Sequence, residues 1–192
     1  RVIAASAASR FKCIWSAGIP PKIKIFLWQA FRGRLPSADQ IQKRNGPGSA
    51  FCSLCFSLED TNHIFFKCDL ALLIWGCVRS WYSRSWSPGN FADVRAISNG
   101  LNGQARRLFW TGMGALCWAL WTTQNKFTIE DVFPNKPADV LFKMSIFLEH
   151  WKLLTKPADV GGLEELVNKV RASASLMSST PSGRSSCFGS RS

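Results

Sequence analysis

Three cysteines and one histidine that lie close together are the residues of this chain with the clearest chemistry. Cys52, Cys55, His63 and Cys68 fall within 17 residues, with gaps of two, seven and four residues between them. Thiolate and imidazole groups are the ligands that Zn²⁺ prefers, and four of them complete its tetrahedral shell. The spacing therefore predicts one structural zinc per chain. Such a site has no open position for water, so we expect no catalysis by the metal.

Other uses of these cysteines fit the sequence less well. A redox pair at Cys52 and Cys55 would normally open a helix after a strand in a βαβ unit, and it would not need His63 and Cys68. An odd total of seven cysteines argues against a disulfide framework. We interpret the other cysteines and the second histidine as structural or surface residues, namely Cys13, Cys77, Cys117, Cys187 and His150.

The segments that position the ligands are predicted to be helical. Pro20 and Pro21 open an apolar segment that we interpret as a helix to Phe31, because proline lacks only an N–H that is unpaired at a helix start. Residues 37–40 match a capping box and predict a short helix that ends at the Asn-Gly-Pro-Gly turn of residues 45–48. Apolar residues three and four apart predict a further helix over residues 69–82.

The second half of the chain is predicted to contain buried and amphipathic helices. Residues 108–121 are almost wholly apolar, but a membrane span needs roughly 20 such residues. Residues 138–154 and 163–170 carry amphipathic patterns. The expected fold class is mainly α, with helices around a small zinc-held knuckle, which could include a short β-turn pair, and a disordered serine-rich tail. The predicted units are a basic helical segment over 11–46, the knuckle and its following helix over 47–82, a linker over 83–104, C-terminal helices over 105–171 and the tail over 172–192.

The charge of the chain is concentrated before the cysteines. The net charge is +12, and residues 1–58 hold nine basic residues but one acidic residue, Asp39. This excess predicts a polyanionic partner, with nucleic acid ahead of an anionic membrane. We expect Lys22, Lys24, Arg32 and Arg34 to contact phosphate. Nine tryptophans are equally compatible with a protein-interaction surface.

The motifs between residue 11 and about residue 82 follow one another in the order seen in a known family. They resemble the zinc-binding region of plant reverse transcriptases, at the C-terminal end of the polyprotein of non-LTR (LINE-type) retrotransposons. The resemblance is carried by Trp15, residues 20–28, residues 33–37, Cys52 and Cys55, residues 59–68 and the Ile74-Trp75 pair. A weaker similarity to a segment that often follows this region is carried by Trp118-Ala119-Leu120-Trp121 and Gln124-Asn125-Lys126. Ser53 and Phe56 stand where the family often has proline and glycine.

The resemblance implies a zinc module that helps a reverse transcriptase to hold nucleic acid, with the four clustered residues as ligands. The implied partners are RNA, DNA or both, and the reverse transcriptase domain of the same polyprotein, in the nucleus and without a membrane. No two aspartates are adjacent and no set of acidic residues suggests a ribonuclease H, so we expect this chain neither to polymerise nor to cleave nucleic acid. Two alternatives stay open: a zinc-stapled protein-interaction module, and a pseudogene remnant without activity.

Overall fold

The computed structural model describes residues 11–81, 87–130 and 136–179. The described residues form eight α-helices and a π-helical turn, His63–Lys67. The α-helices are α1 (Lys12–Ser16), α2 (Pro21–Phe31), α3 (Ala38–Gln42), α4 (Asp69–Trp81), α5 (Phe91–Asn99), α6 (Gly103–Glu130), α7 (Ala138–Trp151) and α8 (Val160–Ser179). Short 3₁₀ turns at Lys152–Leu154 and Pro157–Asp159 connect α7 to α8. Within the described residues, Phe51 and Leu58 form an isolated antiparallel bridge. The predicted mainly α fold with a small knuckle is therefore confirmed.

Helix α6 forms the centre of the core. Nearly every residue from Phe109 to Trp121 is buried, since helices pack against it from several sides. The predicted buried helix of residues 108–121 is confirmed as the middle part of this longer helix. Of the helices that the structure describes, none combines the length and the apolar character needed to cross a membrane.

Helix α2 joins the knuckle to this core. It begins at Pro21, as predicted, and buries Ile23, Phe26, Leu27 and Ala30. It ends in a Schellman motif around Gly33, whose φ of +59° suits glycine. The helix therefore has one buried face and one exposed face, and the Schellman motif fixes the point at which the chain leaves it.

The start of α3 differs from the predicted capping box. The Ser37 hydroxyl donates to the Asp39 carboxylate, 2.5 Å away, rather than accepting from the helix backbone. Gln40 also donates to Asp39 instead of reaching back to the Ser37 N–H. Glu59 instead accepts from the first N–H groups of α3. Its side chain accepts from the Ala38 N–H, and its carbonyl accepts from the Asp39 N–H. The prediction of a capping box is therefore wrong, and α3 is capped by Glu59 of the knuckle.

The predicted linker over 83–104 is wrong for residues 91–99, which form α5. The Asn90 side chain accepts from the N–H groups of Ala92 and Asp93, and so it caps the helix start. Phe91 and Val94 are buried against the aromatic core. Helix α6 also begins inside the predicted linker, at Gly103. The polar composition concealed a cap followed by an apolar face.

The predicted disordered tail is wrong for residues 172–179, which continue α8. Ala174 is buried, and the Ser173 hydroxyl accepts a 2.8 Å hydrogen bond from the Trp81 indole. The Cys77 thiol lies 3.5 Å from the Met177 sulfur. Contacts with α4 therefore keep this serine-rich segment helical. The rest of the predicted tail, residues 180–192, lies outside the described residues.

Candidate metal centre

A tight ribbon holds the first two ligands. The Cys52 N–H donates to the Ser57 carbonyl and the Phe56 N–H donates to the Cys52 carbonyl, so the chain reverses around residues 53–55. The Glu59 N–H donates to the Ala50 carbonyl across the base of the ribbon. These bonds direct both cysteine side chains to one side of the turn.

The π-helical turn holds the other two ligands. His63 and Cys68 are five residues apart, which in an α-helix would separate their directions by about 140°. The turn is wider here, because the Cys68 N–H donates to the His63 carbonyl, five residues back. The Trp75 indole stabilises this turn by donating a 2.8 Å hydrogen bond to the Phe65 carbonyl. The tryptophan of the Ile74-Trp75 motif therefore has a role in shaping the site.

The four predicted ligands converge on one point. The ligand atoms of Cys52, Cys55, His63 and Cys68 all lie within 4.8 Å of one another. The Cys52 and Cys68 Sγ atoms are 4.0 Å apart, and the Cys55 Sγ is 3.2 Å from His63 Nε2. Zn–S bonds of 2.3 Å and Zn–N bonds of 2.0–2.1 Å in a tetrahedron place S–S pairs about 3.8 Å and S–N pairs about 3.6 Å apart. The donor set therefore fits a structural zinc, as predicted.

Burial and charge support the same assignment. Cys52, His63 and Cys68 are buried, whereas Cys55 is partly exposed at the rim. Without a cation, the hydrogen bond with Cys68 and burial together raise the pKa of the Cys52 thiol. Zinc binds thiolates and so displaces their protons. Binding of a dication would stabilise the close approach of these three sulfurs as thiolates.

Glu59 and Gln124 connect the metal centre to the helical core. The Gln124 Nε2 atom on α6 lies 3.3 Å from the Cys52 Sγ and 2.5 Å from the Glu59 Oε2. The other Glu59 oxygen accepts from the Ala38 N–H. One buried carboxylate thus joins α3, the knuckle ribbon and α6. Sequence analysis missed this role of Gln124, although the residue lies in the weaker motif that resembles a trailing family segment.

Replacement of Gln124 by leucine is expected to weaken zinc binding by about 10- to 100-fold, the usual effect of losing a group that supports a ligand. The variant removes the donor to the Cys52 sulfur and leaves the Glu59 carboxylate with one fewer donor. Competition with a chromogenic chelator measures the affinity. Asn125→Leu, one residue further along the same helix, is the matched control. Equal affinities for the parent and the Gln124→Leu variant would contradict the assignment.

The four basic residues predicted to contact phosphate lie along α2 and just beyond it. The Lys22 ammonium is 5.5 Å from the centre of the Trp118 ring, and the Arg32 guanidinium is 4.6 Å from that of Trp28. Lys24 is half-buried and donates to the Trp15 carbonyl, and burial lowers its pKa. Arg34 is exposed in the loop after the helix. Lys22, Arg32 and Arg34 are accessible, whereas Lys24 is already engaged.

Cys13, Cys77, Cys117 and His150 do not belong to the cluster of four ligands. Cys117 is buried in α6, Cys13 and Cys77 are partly buried, and His150 is exposed near the end of α7. Burial raises the pKa of the Cys77 and Cys117 thiols, which therefore stay protonated near neutral pH. Cys187 lies outside the described residues.

Comparisons with known proteins agree with this geometry. Residues 3–75 match the family described as zinc-binding in reverse transcriptase. A protein of Arabidopsis thaliana whose name marks it as a candidate ribonuclease H protein is 29% identical over 96 residues, which cover 45% of this chain and 16% of that protein. The chain thus spans less than a fifth of this relative's length. No solved structure matches the chain. The matched segment includes the four converging ligands, so this part of the chain is similar to the zinc-binding region found in reverse transcriptases.

Proposed function

We propose that this chain is a non-catalytic module that a structural zinc stabilises and that helps a reverse transcriptase to bind nucleic acid. The observation that carries the proposal is the exposed basic face of α2, a helix that packs against the π-helical turn of the metal centre through Phe26 and Phe65. The family match supports a role beside a polymerase. The proposed partners are RNA, DNA or both, together with the reverse transcriptase domain of the same polyprotein.

The exposed face of α2 offers a track rather than a single contact. Lys22, Ile25, Gln29 and Arg32 point within about 80° of one another around the helix axis, given a rotation of 100° per residue. Lys22 and Arg32 are separated by about 15 Å along the axis. Arg34 is exposed just beyond the helix, where its N–H donates to the Gln29 carbonyl. Several successive phosphates of one strand can therefore be contacted.

The role of the metal in this proposal is structural. Zinc with four protein ligands has no open position at which water can be activated. Its function here is to fix the ribbon and the π-helical turn, and through Glu59 and Gln124 the position of α3 against α6.

A second candidate function is docking of another protein, and the outer face of α7 favours it. Phe142 and Ile146 are four residues apart and are exposed, and Leu153 just beyond the helix is 94% exposed. Such a surface could contact the polymerase domain. Salt dependence separates the two functions, because apolar docking is not weakened by salt as phosphate binding is.

The double replacement of Arg32 and Arg34 by alanine is expected to weaken binding of all nucleic-acid sequences alike. Each lost phosphate contact reduces the slope of log K against log salt by about 0.7 to 0.9, so the slope should fall by between about one and two units. Fluorescence anisotropy with labelled RNA and DNA at several salt concentrations measures this slope.

The matched control is Lys169→Ala combined with Arg171→Ala, which removes two basic residues from α8 instead. If both double variants bind equally well, the effect is one of net charge alone. If the α2 variant binds RNA and DNA as tightly as the parent at low salt, the proposed phosphate contact is wrong.

A further inference from the structure

The tip of the knuckle is apolar and faces solvent. Phe51, Phe56 and Leu58 are 55%, 65% and 60% exposed. We call these three residues the knuckle tip. Apolar side chains are normally buried, and two exposed phenylalanines beside one leucine form a patch on this small module.

The backbone of the ribbon places two of these side chains together, and Phe56 lies in the turn between them. Phe51 and Leu58 are paired in the antiparallel bridge, and directly opposite residues project their side chains to the same face. Cys52 follows Phe51 and therefore projects to the opposite face, toward the metal centre. The metal fixes one face of the ribbon and the apolar residues occupy the other.

Phe56 occupies a backbone conformation that favours glycine. Its φ is +60°, in the left-handed region. Glycine adopts this conformation without steric conflict, whereas a residue with a Cβ does so at a cost in free energy. Phe56 thus has a strained backbone, and its aromatic ring is exposed to solvent. Folding alone does not explain it.

The surroundings of the tip carry positive charge. Lys43 and Arg44 are exposed at the end of α3. The Lys43 ammonium forms a 2.9 Å ion pair with Asp39, so Arg44 is the cation here that is available to a phosphate. The Gln42 side chain donates to the Gly48 carbonyl, so the end of α3 lies against the chain that leads into Phe51. From Gly48 to Phe51 is three residues, a span of at most about 11 Å. Phe51 and Arg44 therefore lie within the reach of a few nucleotides.

We propose that the knuckle tip stacks the unpaired bases of single-stranded nucleic acid, with Phe56 and Phe51 as the platforms and Arg44 on an adjacent phosphate. Exposed aromatic faces beside a positive groove are the features by which proteins bind single strands without sequence preference. Bases within a duplex are already stacked on one another and offer no face to the tip. This inference rests on the proposed nucleic-acid-binding function and specifies its ligand as a single strand.

The decisive variant is Phe56→Gly in the full 192-residue chain. Glycine removes the ring and relieves the backbone strain, so the variant should keep one zinc and a thermal midpoint at or above that of the parent. Binding of labelled oligo(U) and oligo(dT) is expected to weaken by roughly 5- to 150-fold, the effect of losing one stacked base. Because stacking involves no ion release, the loss should be similar at low and high salt, while Arg32→Ala with Arg34→Ala changes the slope.

Three comparisons complete the experiment. Phe142→Ala removes an exposed ring from α7 and should bind as the parent does. Phe56→Trp should restore binding, and an abasic strand or a duplex should bind the parent and Phe56→Gly equally. If the parent binds oligonucleotides and Phe56→Gly binds them equally well, the inference is overturned while the proposed function stands. If the parent binds no nucleic acid, both are overturned. If Phe56→Gly impairs only binding to the reverse transcriptase domain, the tip is a protein contact and the inference is wrong.

Discussion

Replacing Cys68 by serine is expected to remove the zinc and to unfold much more than the knuckle. Metal binding contributes roughly 10 kcal/mol or more to the folding of small zinc modules. Whole domains are stable by only about 5–15 kcal/mol. The loss of one ligand is therefore comparable to the whole stability of the chain.

The contacts of the π-helical turn explain why the damage should spread. Cys68 closes this turn through its N–H, and the turn carries Phe65 and Phe66 into the core. Gln124 extends the connection to α6 through its contact with Cys52. Elemental analysis should find one zinc in the parent and none in Cys68→Ser, and circular dichroism should show a loss of helix beyond residues 50–70.

A matched control separates the ligand from the thiol. Cys77→Ser removes a half-buried thiol on α4 and should retain one zinc. Removing zinc from the parent with a chelator should reproduce the spectrum of the Cys68→Ser variant. A Cys68→Ser variant with full zinc content and an unchanged spectrum would show that the metal assignment is wrong.

The metal ligands could be predicted from the sequence because their signal is local. Cys52, Cys55, His63 and Cys68 are recognisable by residue type and spacing, and zinc accepts few other sets. The start of α2 at Pro21 was predictable for a similar reason, since proline has a restricted place in helices. Local sequence rules are sufficient where a residue type or a spacing is compatible with few structures.

Two of the features that the sequence did not predict depend on contacts between distant segments. The α3 cap comes from Glu59 rather than from the neighbouring Gln40, and Glu59 is held by Gln124, 65 residues further along the chain. The serine-rich end of α8 is helical because Ser173 accepts from Trp81. Composition and spacing carry no information on such pairings.

Replacing Phe65 by alanine is expected to destabilise the protein strongly while leaving its zinc in place. Phe65 lies between the ligands His63 and Cys68, and its side chain is fully buried. Its ring packs edge-on against Phe26 at 6.0 Å and against Phe91 at 5.5 Å. It is thus the side chain through which the metal-bound turn contacts both α2 and α5.

Truncation of a buried phenylalanine to alanine usually costs about 3–5 kcal/mol, through lost burial and the cavity that remains. In a chain of this size, that corresponds to a fall in Tm of about 6–20 °C. The four ligands are unchanged, and Trp75 can still donate to the backbone carbonyl of residue 65, so one zinc per chain should remain. Thermal unfolding with metal analysis of the same sample tests both parts of this expectation.

Phe142→Ala, which truncates an exposed ring, should leave the Tm nearly unchanged. A fall of less than about 2 °C for Phe65→Ala, below the effect of 1 kcal/mol, would mean that the knuckle folds independently of the helices, and the coupling through Phe65 would be wrong.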